Sequence, residues 1–149
     1  MKALTIRQPW AWAIIYGGKD VENRSRNLAG SYRGPVAIHA GLAPFEQHNM
    51  ASRALRSAHG SEVSTEILFG AIIGIVDLVD VHAATPDDLG RIRCETTELG
   101  DPWDMACSLW AMETAYHLVL RNPRPLAAPI PYRGRLGLWE VPADTWGAS

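Results

Sequence analysis

The sequence predicts a single domain of the α+β class, a small mixed or mostly antiparallel β-barrel with two to four peripheral helices. A chain of 149 residues fits one domain, and its 47% hydrophobic and 20% charged residues are ordinary for a globular protein. Short strand patterns are separated by turn residues and do not alternate with helices as β-α-β units. We expect the domain to span residues 1–142 and the tail, residues 143–149, to be loosely ordered.

The first half of the sequence predicts two strands and two helices. Residues 2–7 alternate in the manner of a strand. Pro9 suits the first position of a helix, which we expect over residues 10–16. The segment 35–40 lies between two glycines and forms the second strand, and a helical stretch follows at residues 44–58.

The middle of the sequence contains the strongest strand signal, at residues 70–81. Gly74 inside this strand suggests a bend or a bulge. Residues 85–88 join a capping threonine to a proline and two acids, which is typical of a helix start. Residues 90–110 have no clear periodicity and are expected to be irregular.

Two further strands complete the predicted barrel. The first covers residues 116–120 and is ended by Asn122 and Pro123. The second covers residues 136–141, after a turn-prone segment rich in proline and glycine.

Composition and spacing exclude several classes of protein. There is no apolar run of about 18 residues to span a membrane, and the start lacks a signal-peptide core, so we expect a cytoplasmic protein. Cys94 and Cys107 form no Cys-x-x-Cys pair and are expected to be reduced, although a disulfide between them stays open. The five histidines have neither i, i+4 pairing nor a carboxylate companion. We therefore expect no metal site and no cofactor.

The charged residues are unevenly distributed. The net charge is −2, but residues 1–33 and 121–149 are basic, whereas residues 34–120 are acidic. Arginine greatly outnumbers lysine, and a guanidinium is the better planar partner for phosphates and base edges. The basic ends therefore suit an anionic partner if they meet in space.

One short polar segment carries the main candidate site. Lys19, Glu22 and Arg24 follow a pair of glycines within a few residues of one another. A desolvated lysine beside a carboxylate can act as a base or a nucleophile. Alternatively, Lys19 and Glu22 hold Arg24 toward a phosphate or a base edge, or all three form a surface salt-bridge cluster. We expect the surrounding segment, residues 19–26, to be irregular.

Further candidate binding residues share aromatic, amide, imidazole or guanidinium groups near predicted turns and strand ends. They are Gln8, Trp10, Arg33, His39, Trp110, Tyr116 and Arg124. Aromatic rings can stack on bases, and arginines can bind phosphates. Each also has a structural interpretation, as a core ring, a turn-capping amide, a hydrogen-bonded histidine or a solvated arginine.

Residues 18–24 resemble the signature of the ASCH family, a Gly-x-Lys-x-x-Glu-x-Arg-like turn. The resemblance covers nearly the whole chain, in order, through residues 6–11, 34–40, 70–76, 122–126, 129–131 and 134–139. It implies a β-barrel similar to the PUA domain. It also implies nucleic-acid or nucleotide binding in a cleft beside the Lys19-Glu22-Arg24 turn.

The resemblance leaves several functions open. The first is a binding module for one nucleobase, presented free as a modified nucleoside or splayed out of RNA or another single-stranded nucleic acid. The second is an amidohydrolase that deacetylates N4-acetylcytidine, with Lys19 and Glu22 catalytic and Glu113 as a conceivable further acid. Members of that type carry Lys-x-x-Thr, whereas this chain has Glu22 at the threonine position. The third is a protein-interaction module, and a metal-dependent nuclease ranks lower.

Overall fold

The computed structural model describes residues 1–43, 68–94 and 106–146. The described residues form seven strands, one α-helix and one 3-10 helix. In chain order these are β1 (Lys2–Ile6), α1 (Trp10–Tyr16), β2 (Val21–Arg24), β3 (Gly34–Ala40), β4 (Ala71–Pro86), β5 (Ile92–Cys94), β6 (Tyr116–Pro131), β7 (Leu138–Glu140) and the 3-10 helix Ala143–Trp146.

The elements near the start of the chain are those that the sequence predicts best. The expected strand at residues 2–7 is confirmed as β1, and the expected helix at residues 10–16 is confirmed as α1. The apolar stretch from Ala11 to Ile15 is buried, so most of α1 faces the interior. The helix ends at Gly17, whose N–H donates to the Ala13 carbonyl at 2.9 Å.

The strands form one open, mixed sheet. Its order is β2-β6-β4-β3-β1-β7, and β5 pairs with β4 outside this path. β1 runs parallel to β3, with Ala3 opposite Ala37, and antiparallel to β7, with Ala3 opposite Trp139. The parallel pair makes the sheet mixed.

The predicted α+β barrel with two to four peripheral helices is therefore wrong. Of the described residues, 49% lie in strands and 10% are helical, and the sheet is open because its outermost strands β2 and β7 are not neighbours within that part of the chain. Two long strands, β4 and β6, replace several short ones. The helix expected at residues 44–58 lies outside the described residues.

The helix expected to start at residues 85–88 is also wrong, because these residues form the end of β4 and its turn into β5. Pro86 pairs with Ile92 across the hairpin. The carboxylate of Asp87 accepts the N–H groups of Leu89 and Arg91, each at 2.9 Å. Aspartate caps a tight turn in this way as readily as it caps a helix, so the local signal was ambiguous. β5 also lies inside the segment 90–110 that was expected to be irregular.

β6 continues through the predicted stop at Asn122 and Pro123. Asn122 takes a φ of 51°, a left-handed conformation that asparagine tolerates, and the strand then resumes. Four prolines follow at positions of one parity: 123, 125, 129 and 131. The Tyr132 N–H donates to the carbonyl of Gly70, the residue before β4, so even-numbered residues in this part of the chain direct their N–H groups toward β4. The four prolines have odd numbers, so the N–H groups that they lack would lie on the other side of β6. The prolines therefore remove no hydrogen bond between β6 and β4.

β2 is the second strand that the sequence did not indicate. Residues 21–24 lie within a polar segment that was expected to be irregular, yet they pair with β6 in antiparallel register from Val21 opposite Val119 to Arg24 opposite Tyr116. Val21 is completely buried, which anchors an otherwise polar strand.

The described chain divides into two compact units. Unit 1 comprises residues 1–19, 35–76 and 122–149, and unit 2 comprises residues 20–34 and 77–121. The expected domain, residues 1–142, spans both. The core of unit 1 contains a cluster of Ala3, Ala37, Ile72, Trp139 and Val141.

The segment predicted to be a loosely ordered tail begins with a short 3-10 helix, Ala143–Trp146. The Trp146 side chain packs against the core cluster of unit 1. Residues 147–149 lie outside the described residues. No helix in the described ranges combines the length and the apolar character needed to cross a membrane.

Candidate functional site

In unit 2, three of the predicted site residues share one face of the β2–β6 ladder. Side chains alternate along a strand, so Glu22 and Arg24 point to the same side of β2. The register places Tyr116 directly opposite Arg24 and Leu118 directly opposite Glu22. Opposite residues lie on the same face, so a carboxylate, a guanidinium and a phenol ring occupy adjacent positions.

Glu22 and Arg24 form an ion pair on this face. The Arg24 Nη2 lies 3.2 Å from the Glu22 Oε1, and the two side chains are 28% and 11% exposed. A charge pair this far from bulk water interacts more strongly than one on the surface. The pair combines guanidinium donors with a carboxylate acceptor, and donors and acceptors also lie side by side at the edge of a nucleobase.

The other face of the ladder holds the segment around Trp110 in place. The Asn23 amide donates to the Trp110 carbonyl and accepts the Met112 N–H, both at 2.9 Å. The Trp110 N–H donates to the Ser108 hydroxyl at 3.0 Å. Trp110 is therefore a half-buried residue whose backbone is fixed from β2.

The remaining candidates of unit 2 are Arg33 and Glu113. Arg33 donates to the carbonyls of Gly30 and Tyr32 and lies 3.7 Å from an oxygen of Asp80. These contacts hold its side chain against its own loop. Glu113 is exposed in the turn before β6.

Unit 1 contains the other five candidates, and two of them have structural surroundings. The Gln8 amide donates to the Leu68 carbonyl at 2.7 Å and accepts the Trp12 N–H at 3.0 Å, so both its ends hold backbone. The His39 Nε2 bonds the Tyr132 carbonyl at 2.9 Å, and His39 is only 1% exposed. Gln8 and His39 therefore match the structural interpretations given above, a turn-capping amide and a hydrogen-bonded histidine.

The last three candidates of unit 1 differ in their exposure to solvent. Lys19 is only 5% exposed, Trp10 is half-buried and Arg124 is exposed on β6. A nearly buried lysine is uncommon, because burying an ammonium is costly without compensation. Lys19 therefore keeps its place as a candidate for a chemical role.

Sequence reasoning missed a cluster of side chains in unit 2 that could ligate a metal ion. The cluster has four members, whose ligand atoms lie within 4.8 Å of one another. They are His82 on β4, Cys94 on β5, His117 on β6, and Cys107 in the segment before β6. The His117 Nδ1 lies 3.2 Å from the Cys107 sulfur and 3.5 Å from the Cys94 sulfur. Both cysteines are free thiols.

The expectation of no metal site rested in part on the histidines having no carboxylate companion, and the structure corrects that premise. His82 does have a carboxylate companion, because its Nδ1 lies 2.7 Å from the Asp80 Oδ2. Burial opposes the charge of Asp80, but hydrogen bonds from His82 and from the Val81 N–H outweigh it and hold the carboxyl pKa below its ordinary value. A His-x-Cys or Cys-x-x-Cys pattern would have marked the cluster in the sequence, but its members come from four separate segments.

The thiol of Cys107 has a strongly shifted pKa. Burial, together with the neighbouring Cys94, raises this pKa to about 12. In the chain without a bound ion, Cys107 is therefore a protonated thiol at neutral pH. Such a thiol is a poor nucleophile.

No protein-family model matches the chain. The resemblance to the ASCH family therefore stays a prediction. The roles that it implies for Lys19, Glu22 and Arg24 stay predictions as well, and they have to be judged from the chemistry of the residues themselves.

Proposed function

We propose that the chain binds a single nucleobase, presented as a free nucleoside or splayed out of single-stranded RNA, on the face of unit 2 that carries Glu22, Arg24 and Tyr116. One observation carries the proposal: the buried Glu22 carboxylate and the half-buried Arg24 guanidinium form an ion pair directly beside an aromatic residue. This combination offers both polar-edge recognition and a stacking surface in one place.

Cytosine is the base whose edge fits this arrangement best. Its exocyclic amine is a donor that a carboxylate accepts, so Glu22 would bind it. Its ring nitrogen and carbonyl are acceptors, which suit the forked donors of Arg24. The ring of Tyr116 would stack on the base, an interaction worth about 1–3 kcal/mol in other proteins.

The proposal predicts that Tyr116→Leu weakens binding of cytidine and of a short single-stranded RNA by about 5- to 150-fold, the equivalent of one lost stacking contact. The matched control is Tyr16→Leu, because Tyr16 is a 51% exposed tyrosine on α1, in unit 1. Isothermal titration calorimetry with both variants compares the losses. Equal affinity of the two variants would contradict the stacking role of Tyr116, and it would contradict the proposed binding face as well.

An amidohydrolase acting on N4-acetylcytidine is the second candidate, and the burial of Lys19 favours it. Lysines that act as bases or nucleophiles are typically removed from water, and Lys19 is only 5% exposed. The test follows release of cytidine by the wild type, by Lys19→Met and by the control Lys2→Met. Lys2 has 31% of its side chain exposed and pairs with Glu140 at 2.8 Å.

Turnover by the wild type and by Lys2→Met, with loss in Lys19→Met, would make the chain an enzyme. Absence of turnover in all three, with retained binding of cytidine, would leave the binding function alone. Absence of both would favour the protein-interaction module. We propose a cytoplasmic location for any of these functions, because both cysteines are free thiols, the state that a reducing compartment maintains.

A further inference from the structure

We propose that unit 2 contains a structural zinc site with His82, Cys94, Cys107 and His117 as its four ligands. This site is separate from the face that carries Glu22 and Arg24. It requires only that the four side chains, whose ligand atoms already lie within 4.8 Å of one another, close around one ion.

The distances within the cluster fit tetrahedral zinc coordination. Bond lengths of about 2.3 Å to sulfur and about 2.0–2.1 Å to nitrogen place the sulfur and nitrogen ligands about 3.6 Å apart in a regular tetrahedron. The His117 Nδ1 lies 3.2 Å and 3.5 Å from the two sulfurs. The His117 imidazole is therefore at coordination distance from both thiols before any rearrangement.

A hydrogen bond from one ring nitrogen of each histidine determines which nitrogen carries the lone pair. The His117 Nε2–H donates to the Met112 carbonyl at 2.7 Å, so the lone pair is on Nδ1, the atom that faces the sulfurs. The His82 Nδ1–H donates to the Asp80 carboxylate at 2.7 Å, which leaves the lone pair on Nε2. A carboxylate or carbonyl behind each metal-binding histidine is the usual arrangement in zinc proteins, where it fixes the tautomer and the ring orientation.

The charges of the proposed site balance. On binding, the Cys94 and Cys107 thiols each release a proton to solvent and bind as thiolates, while His82 and His117 bind as neutral rings. Two thiolates neutralise the charge of Zn²⁺. His82 and His117 are 5% and 0% exposed, so a neutral site avoids the cost of an uncompensated buried charge.

The ligand set selects the metal and its role. Thiolate and imidazole ligands suit zinc, whereas magnesium and calcium prefer oxygen. Four protein ligands leave no coordination position for water or substrate, which is typical of structural rather than catalytic zinc. The ion would join β4, β5, the segment around Cys107 and the start of β6 into one framework.

The site also lies next to the proposed nucleobase face without sharing it. His117 is directly opposite Asn23, and Asn23 lies between Glu22 and Arg24 on β2. Because side chains alternate, Asn23 and His117 point to the face opposite that of Glu22 and Arg24. A metal ion there would stabilise the β2–β6 ladder from the face opposite Glu22 and Arg24.

The first experiment uses the wild-type chain alone. The protein is stripped with a chelator under reducing conditions, titrated with zinc, and its two thiols are titrated with a thiol-reactive dye. We expect about one zinc per chain, protection of both thiols by zinc, and recovery of their reactivity after chelation. Cobalt(II) in place of zinc should give the intense visible and thiolate charge-transfer absorption of tetrahedral sulfur coordination. Full reactivity of both thiols in the presence of zinc, or a weak octahedral cobalt spectrum, would overturn the proposal.

The second experiment uses variants. Cys107→Ser should lose the zinc and the cobalt thiolate band, and Asp80→Asn should bind zinc about 10- to 100-fold more weakly, because the carboxylate behind His82 is lost. His39→Gln is the control, since His39 is a buried histidine of unit 1 outside the cluster. Zinc binding that is as tight in Cys107→Ser as in the wild type would contradict the assigned ligands. If Cys107→Ser does not fold, the wild-type titrations decide the question.

Discussion

The ion pair between Glu22 and Arg24 makes a sharp prediction about stability. Glu22→Gln removes the carboxylate charge with little change in shape and leaves the guanidinium of Arg24 in a half-buried position. Breaking a fully buried pair costs about 3–5 kcal/mol, and an exposed pair contributes about 0–1 kcal/mol. With its side chains 28% and 11% exposed, this pair lies between the two limits. We expect Glu22→Gln to lower the free energy of unfolding by about 1.5–3 kcal/mol.

The matched control is Glu113→Gln, the same chemical change at an exposed turn position of unit 2. A surface substitution of this kind should change the stability by about 0.5 kcal/mol or less. Urea denaturation of both variants, with Arg24→Gln and the double variant to complete a cycle, measures the coupling between the two charges. Equal effects of Glu22→Gln and Glu113→Gln, or a coupling energy near zero, would refute the reasoning.

Two further predictions concern packing and pH. A Cβ at Gly74 would lie 2.6 Å from the Ile15 Cδ1 and 2.9 Å from the Arg124 carbonyl, so Gly74→Ala should destabilise unit 1 by about 1–3 kcal/mol in thermal denaturation. An unchanged melting temperature would contradict this close packing. In unit 2, the Arg91 N–H and then its guanidinium lower the pKa of Asp87 from 3.8 to about 2. Because the carboxylate is the form stabilised in the folded state, its contribution is present above pH 3.8 and is lost as the pH falls toward 2. Asp87→Asn keeps an oxygen to cap the turn but should flatten the dependence of the melting temperature over this pH range, and an unchanged slope would contradict the assignment.

Local patterns in the sequence were enough to predict helices and strands whose own residues determine their conformation. The alternation in residues 2–7 and the proline and glycines around residues 10–16 predicted β1 and α1 correctly. The same reasoning failed for β2, because only the partner strand β6 makes a polar segment extended. It also ended β6 at Asn122, because the sequence does not show that the prolines beyond it avoid the side that pairs with β4.

The candidate sites show the same limit. Chemistry made Glu22, Arg24 and Tyr116 separate candidates, but only the register of β2 against β6 reveals that Tyr116 lies opposite Arg24. The Cys and His cluster was missed altogether. Its ligands are far apart in sequence, and the hairpin pairing that brings Cys94 to β4 starts at a Thr-Pro-Asp segment that resembles a helix start.

The central claim, that the Glu22–Arg24–Tyr116 face binds a nucleobase, is tested most directly by mapping bound cytidine on the full chain. Backbone amide chemical shifts recorded during a cytidine titration locate the site without any substitution. We predict saturable shifts concentrated in residues 21–24 and 116–118. Shifts concentrated instead in β1, β3 and β7, or no shifts at millimolar cytidine, would contradict the proposed site.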